Sequence, residues 1–220
     1  VNLLETSVTF GQYMQAGVET AYMVLISLAL GSVLGIPLGL ALVLTRPGAL
    51  RGNRAVYSVL NTFVNIVRSL PFIILMVAIV PLTKLIVGTS IGTTAALVPL
   101  TIFVAPFMAR LLESAFLDVD PGIYEAAESM GASTWQTIRH FLLPEARPSI
   151  ILALTTSTVV LIGATAMAGT IGGGGIGDLA ISYGYQQFDT AAILITVIIL
   201  VIVVQGIQSL GDHLAKRSRH

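Results

Sequence analysis

Residues 20–44 run without a single charge, and no other feature limits the possible folds of this chain so strongly. A helix needs about 20 predominantly apolar residues to cross the roughly 30 Å hydrocarbon core of a bilayer. Four further stretches qualify on the same grounds: about 57–82, 91–113, 149–170 and 191–210. The reading is an all-α integral membrane protein, one transmembrane domain over residues 1–220 with five spans. Composition agrees, since 55 % of residues are apolar and only 10 % charged, against roughly 25 % charged in a soluble domain. Mean hydropathy is +0.91. Cysteine is absent, which excludes a disulfide framework, a thiolate metal site and a thiol nucleophile. The first 45 residues contain no Lys or Arg, so no basic region of a cleavable signal peptide is expected.

The zero net charge says little, because the charges are segregated by side. Arg46, Arg51 and Arg54 follow the first span; Arg139 and Arg147 lie between the third and fourth; Lys216, Arg217 and Arg219 close the sequence, and Arg110 sits at the same end of the third span. The other side holds only Lys84, and the connection 171–190 has no basic residue. Lys and Arg concentrate on the cytoplasmic side. That places the N-terminus outside and the C-terminus in the cytoplasm, as an odd number of spans requires.

The segment 118–147 is polar and carefully punctuated. Asp120 is suited to cap a helix that Pro121 opens. Ile123, Ala126, Ala127 and Met130 fall at i, i+3, i+4 and i+7, one apolar face, and Gly131 stops the helix. Ser133 with Gln136 forms a capping box for a second helix, with Trp135, Ile138 and Leu142 on its apolar side and Pro144 at its end. Ten helical residues rise only about 15 Å, so neither helix spans a bilayer. The pair is expected to dock on something outside the membrane.

Glu125-Ala126-Ala127, Gly131 and Leu143-Pro144 resemble the EAA loop of the permease subunits of binding-protein-dependent ABC importers. Phe141 stands where that family usually has Ile, a like-for-like apolar departure. The whole chain also resembles, more narrowly, the methionine-importer permeases, through Asn65-Ile-Val-Arg-Ser-Leu-Pro-Phe-Ile-Ile-Leu75 and Pro81-Leu-Thr-Lys-Leu-Ile-Val-Gly-Thr-Ser-Ile-Gly92. The resemblance implies a type I ABC importer permease fold in a bacterial cytoplasmic (inner) membrane. Residues Glu125, Ala126, Ala127, Gly131, Leu143 and Pro144 would then form the coupling helix seated on an ATPase. It further implies a homodimer, two ABC ATPase subunits on the cytoplasmic side and one extracytoplasmic binding protein. ATP and Mg would be bound by the partner ATPase and no cofactor by this chain. Methionine would be imported by alternating access.

Other motifs have dull and sharp readings. Gly31, Gly35 and Gly39 have small-xxx-small spacing that lets helices approach closely, first within the subunit, otherwise at a dimer seam. Gly172-Gly-Gly-Gly-Ile-Gly177 matches a nucleotide-binding pattern only formally: no strand precedes it and no Walker sequence follows. It reads as a break ending the fourth span, a pliable outer gate or a surface for a binding protein. Tyr183, Tyr185 and Phe188 fit an interfacial aromatic belt.

Arg68 lies within the second span, where an unpaired charge costs several kcal/mol. Ser58, Asn61, Thr62, Asn65 and Ser69 make a polar stripe beside it, opposite Val56, Leu60, Phe63 and Val67, and Pro71 is placed to kink the helix. Arg68 either faces a wet vestibule or pairs with an acid. In the fourth span Thr155, Thr156, Ser157, Thr158 and Thr165 are hydroxyl-rich, a pattern often spent on the helix's own carbonyls. Asn65, Arg68, Ser69, Thr158, Thr165 and Met167 are the pathway candidates. His140, His213 and His220 are scattered and no metal site is expected.

The nearest rival function is import of another amino acid or small solute by the same machinery. A secondary transporter or channel would want ionisable groups at mid-membrane, and only Arg68 comes near. A membrane enzyme would need a catalytic constellation, and the sequence offers no His/Asp/Glu cluster or nucleophile–base pair.

Overall fold

The structure, a computed structural model, describes residues 6–49 and 51–218. Arg219 and His220, and the first five residues, lie outside the described residues. The regular structure among those described is all helical, with no strand. The long helices are α1 (Phe10–Thr45), followed by α2 (Arg54–Ser69), the short α3 (Phe72–Ala78) and α4 (Val80–Val87), then α5 (Thr93–Leu117). The polar segment holds α6 (Pro121–Ser129), α7 (Thr134–Gln136), a π-helical turn (Thr137–Leu142) and α8 (Leu143–Glu145). After it come α9 (Arg147–Gly169), α10 (Ile176–Leu179), a second π-helical turn (Ala180–Tyr185) and α11 (Thr190–Arg217).

Four of these helices, α1, α5, α9 and α11, are long and apolar enough to cross a membrane, and a fifth span exists if the broken pair α2 and α3 counts as one. Periodicity read residues 57–82 as a single span with a kink. The chain instead breaks at Leu70–Pro71, and a second short helix begins after Ile79. Pro71 sits in extended backbone (φ −56°, ψ 136°). A proline ring disfavours helical geometry in the residue before it, and α2 ends at Ser69. At the other end of the sequence, α1 begins at Phe10, so much of the mixed stretch 1–17 is helix.

The described residues fall into two compact units, and the boundary runs partway along each long helix. One comprises the described parts of Val1–Gly31, Leu70–Val104 and Thr158–Ile207. Its core is Met23, Phe72, Met76, Leu100, Val104, Leu161 and Ala168 with their neighbours, and Phe72 meets Phe103 edge-on at 5.1 Å between centroids. The other comprises Ser32–Ser69, Ala105–Ser157 and the described part of Gln208–His220, and includes the cluster Leu42, Val64 and Ala109.

The glycine spacing of α1 is explained in this second unit. A Cβ on Gly35 would lie 2.8 Å from the Ala105 carbonyl oxygen, and one on Gly39 would lie 2.9 Å from that of Ala109. Here α1 and α5 pack backbone to backbone, which only small residues allow. The within-subunit reading of Gly35 and Gly39 therefore holds.

Candidate functional site

The polar segment is built largely as its residues dictate. The Gly122 N–H donates to Asp120 Oδ1 at 2.7 Å, with Pro121 in the first turn of α6. At the far end Gly131 takes φ +71°. Its N–H donates to the Glu128 carbonyl, and the Ala132 N–H donates to that of Ala127. That pair of bonds is a Schellman ending, and glycine enters its left-handed position without strain. Ser133 and Gln136 close the capping box, their backbone N–H groups donating to each other's side chains at 2.8 and 3.4 Å. Tyr124 ties α6 back to α5 by donating to the Phe116 carbonyl at 3.1 Å. Arg51 reaches Thr134 Oγ1 at 3.3 Å.

Burial divides the apolar faces expected here. Ala127, Ile138 and Leu142 are buried, and so is Thr137, but Met130 and Trp135 are 66 % and 63 % exposed. Pro144 does not end the second helix either. The turn before it widens, the Leu143 N–H donating to Ile138 five residues back. A proline ring clashes with the carbonyl four residues earlier in a regular helix, and a π turn relieves that crowding. The helix then runs through α8 almost directly into α9.

Glu125 and Ala126 are exposed, Ala127 is buried, Gly131 is exposed, and Leu143 and Pro144 are half-buried. Beside α6 lies an open cavity of about 530 Å³. Arg46, Gly48, Phe116, Tyr124, Glu125 and Glu128 are among its lining residues. Cation, carboxylates and apolar surface thus converge on the exposed side of the segment.

The pathway candidates are not all brought together. On α2, the buried side is Val64 and Val67 with Tyr57 and Leu60 partly covered, packed toward Leu42 and Ala109. Ser58, Thr62, Asn65, Arg68 and Ser69 are exposed. So are Val56 and Phe63, which the sequence pattern places opposite the polar stripe. Among the described residues Arg68 has no ion-pair partner; its guanidinium lies 5.9 Å from the Phe107 ring centre. The acid pairs with Arg110 instead, whose Nη1 donates to Glu113 Oε2 at 2.6 Å. Arg110 Nη2 donates to Asn61 Oδ1 at 2.6 Å and Asn65 Oδ1 at 2.9 Å. Glu113 is 2 % exposed and also accepts from the Tyr57 hydroxyl at 3.4 Å. No local pattern marks this cluster, since Glu113 follows Arg110 by one turn but Asn61 lies 49 residues away.

On α9 the hydroxyls of Thr155, Ser157 and Thr165 donate to carbonyls of the same helix at 2.7–2.8 Å. Thr165 is 2 % exposed, so within this chain it faces packed side chains. Thr158 is half-buried and Met167 is 47 % exposed. Among the described residues no group of three or more His, Asp or Glu could hold a metal ion.

The glycine run is tethered rather than loose. The Gly175 N–H donates to Glu19 Oε2 at 2.8 Å and the Ile176 N–H to Thr20 Oγ1 at 2.9 Å. A Cβ on Gly174 would lie 2.6 Å from Glu19 Oε2. The same connection is held at Asp189. One of its oxygens accepts from the Ala192 N–H at 2.8 Å; the other accepts from the Ser7 N–H, Ser7 hydroxyl and Thr6 hydroxyl at 2.8–3.0 Å. The Ala192 and Ser7 amides hold the Asp189 carboxyl down to about 2.

Long apolar helices interrupted by a folded polar segment define a multi-pass α-helical membrane protein. A family model described as the binding-protein-dependent transport system inner membrane component matches residues 31–220, and the chain belongs to that family. It is 54 % identical over 202 residues, 92 % of this chain and 90 % of the relative, to a Vibrio cholerae protein described as a probable D-methionine transport system permease protein, MetI. A Bacillus subtilis methionine import system permease protein, MetP, is 46 % identical over 171 residues, 78 % of this chain and 77 % of that one. Among solved structures, the inward-facing MetNI methionine ABC transporter has a chain that superposes with a TM-score of 0.93 at 41 % identity, covering 97 % of this chain and 100 % of that one. An amino acid ABC transporter shares the fold with a TM-score of 0.78 at 18 % identity over 94 % of each chain.

Proposed function

We propose that this chain is the permease subunit of an ATP-driven methionine importer. The observation that carries the reading is its 54 % identity over nine-tenths of a methionine permease, together with the close superposition on the MetNI chain. The domain is taken as residues 1–220, with the N-terminus outside, the C-terminus in the cytoplasm of a bacterium and the spans in its inner membrane.

In this reading two copies assemble about a two-fold axis, and each presents segment 118–147 to an ATPase subunit that binds ATP and Mg. Glu125, Ala126, Ala127, Gly131, Leu143 and Pro144 form the coupling element. Three observations support the assignment. The segment is capped at both ends of α6, it exposes Met130 and Trp135, and α8 passes almost directly into α9, so a push on the segment is delivered to a span. A rigid element transmits displacement; a loose loop would absorb it. An extracytoplasmic binding protein delivers methionine, and the spans release it by alternating access past the candidates Asn65, Arg68, Ser69, Thr158, Thr165 and Met167.

The test is uptake of labelled L- and D-methionine by cells lacking their own importers and expressing this chain with its ATPase and binding protein. ATP-dependent uptake that vanishes when this chain is omitted is the expected result. An assembled complex whose ATPase responds to a binding protein loaded with a different solute would keep the importer and discard methionine.

A further inference from the structure

The charges on the exposed side of α2 do not balance. Arg68 and Arg110 are neighbouring cations, and Glu113 is the carboxylate beside Arg110 alone. Glu113 is spent on Arg110, whose second terminal nitrogen is spent on Asn61 and Asn65. Arg68, one residue from the end of α2, has no hydrogen bond or ion pair among the described residues, only the face of Phe107 at 5.9 Å. One positive charge is left over among neutral sequence neighbours. An unpaired guanidinium at membrane depth costs several kcal/mol and marks a functional position by default.

The groups around Arg68 are selective about what could answer that charge. Both asparagines turn their oxygens to Arg110, so their amide NH₂ groups are what remains to offer. The Asn65 Nδ2 group donates once, to Asn61 Oδ1 at a long 3.4 Å, and has a second N–H to give. The Ser69 hydroxyl spends its proton on the Ile66 carbonyl. The exposed turn therefore presents donors: a planar guanidinium and an amide three residues away, on the same helix face. A guanidinium held on a ring face is oriented as well as charged, and its fork matches a carboxylate with two parallel bonds.

We propose that Arg68, with Asn65, receives the α-carboxylate of the amino acid as it passes through the permease. The proposal rests on the reading of the chain as an amino-acid importer permease. Arg68 is exposed on this chain, so its guanidinium is within reach of a passing carboxylate.

The test uses the full complex of permease, ATPase and binding protein in proteoliposomes, with Arg68→Gln, Arg68→Lys and Arg68→Cys. Arg68→Gln is expected to assemble and to hydrolyse ATP in response to loaded binding protein, but to import methionine at about a tenth of the wild-type rate or less. Arg68→Lys, a charge without the fork, should fall between. The chain has no cysteine, so Arg68→Cys places a single thiol in it. Attaching an aminoethyl group by a thiosulfonate reagent should raise import to about the Arg68→Lys level, whereas a sulfonatoethyl group should not raise it.

Wild-type import by Arg68→Gln, or equal recovery with either reagent, would overturn the proposal. Failure of both the Gln and Cys variants to assemble would also overturn it, in favour of a structural contact such as an acid of the second copy. Should the wild-type complex import a different solute, the methionine reading falls by itself. A carboxylated solute whose import is lost in Arg68→Gln would still support the Arg68 assignment, and a solute without a carboxylate would sink both.

Discussion

Gly39 and Asp189 show how single residues carry different kinds of constraint. A Cβ on Gly39 would lie 2.9 Å from the Ala109 carbonyl oxygen and 3.0 Å from the Leu112 Cβ. Backbone cannot swing aside as a side-chain end can. Gly39→Leu is expected to lower stability by about 3 kcal/mol, the upper end for overpacking, read as a drop in the thermal transition of the detergent-purified protein. Asp189 is a matter of charge. Its carboxyl titrates at about 2 in the folded chain, below its usual 3.8, because the Ala192 and Ser7 amides donate to the ionised form. A depressed carboxylate contributes its full stability above the unfolded value and loses it as pH falls through the folded one. Its hold on Thr6 and Ser7 is therefore expected to be intact above about pH 4 and lost progressively toward pH 2. Amide exchange or limited proteolysis of the N-terminal segment across that range would show it, and Asp189→Asn should flatten the dependence.

At the scale of elements, α6 and its neighbours matter because their ends are satisfied. Gly131 at φ +71° is the one position in the segment where a side chain is penalised whatever the space around it. Gly131→Ala should cost about 1 kcal/mol, and Ser133→Ala about the same through the lost cap. Both should slow methionine uptake several-fold while leaving insertion unchanged. Glu125→Lys, on the exposed face of α6, should abolish uptake with no loss of stability. Membrane-fraction immunoblots paired with uptake assays separate the two effects, and normal uptake in Glu125→Lys would end the coupling assignment. The caps were legible because each is written in a few adjacent residues. The exposure of Met130 and Trp135 was not, because an apolar pattern marks a face without saying whether this chain or another covers it. The break at Pro71 was only half legible. Proline announced a disturbance, but whether a helix kinks or stops depends on what the following residues pack against, and Phe72 is buried against Phe103.

For the whole molecule, charge asymmetry remains the argument for sidedness. The lysines and arginines near the ends of α1, α5 and α11 should hold the C-terminus in the cytoplasm. A green fluorescent protein fused after residue 220 is expected to fluoresce, and a periplasm-dependent phosphatase fused there to be inactive; the reverse pair would invert the topology. The apolar runs and the capped segment were set by the sequence alone, because spans follow from local hydrophobicity and caps from short-range hydrogen bonding. Only the tertiary structure decided which charge stays free. Arg110 draws Asn61, Asn65 and Glu113 to itself, and Glu19 reaches a glycine 156 residues away. Such partnerships depend on helices meeting in space, and nothing in the local order of residues encodes which arginine finds the acid.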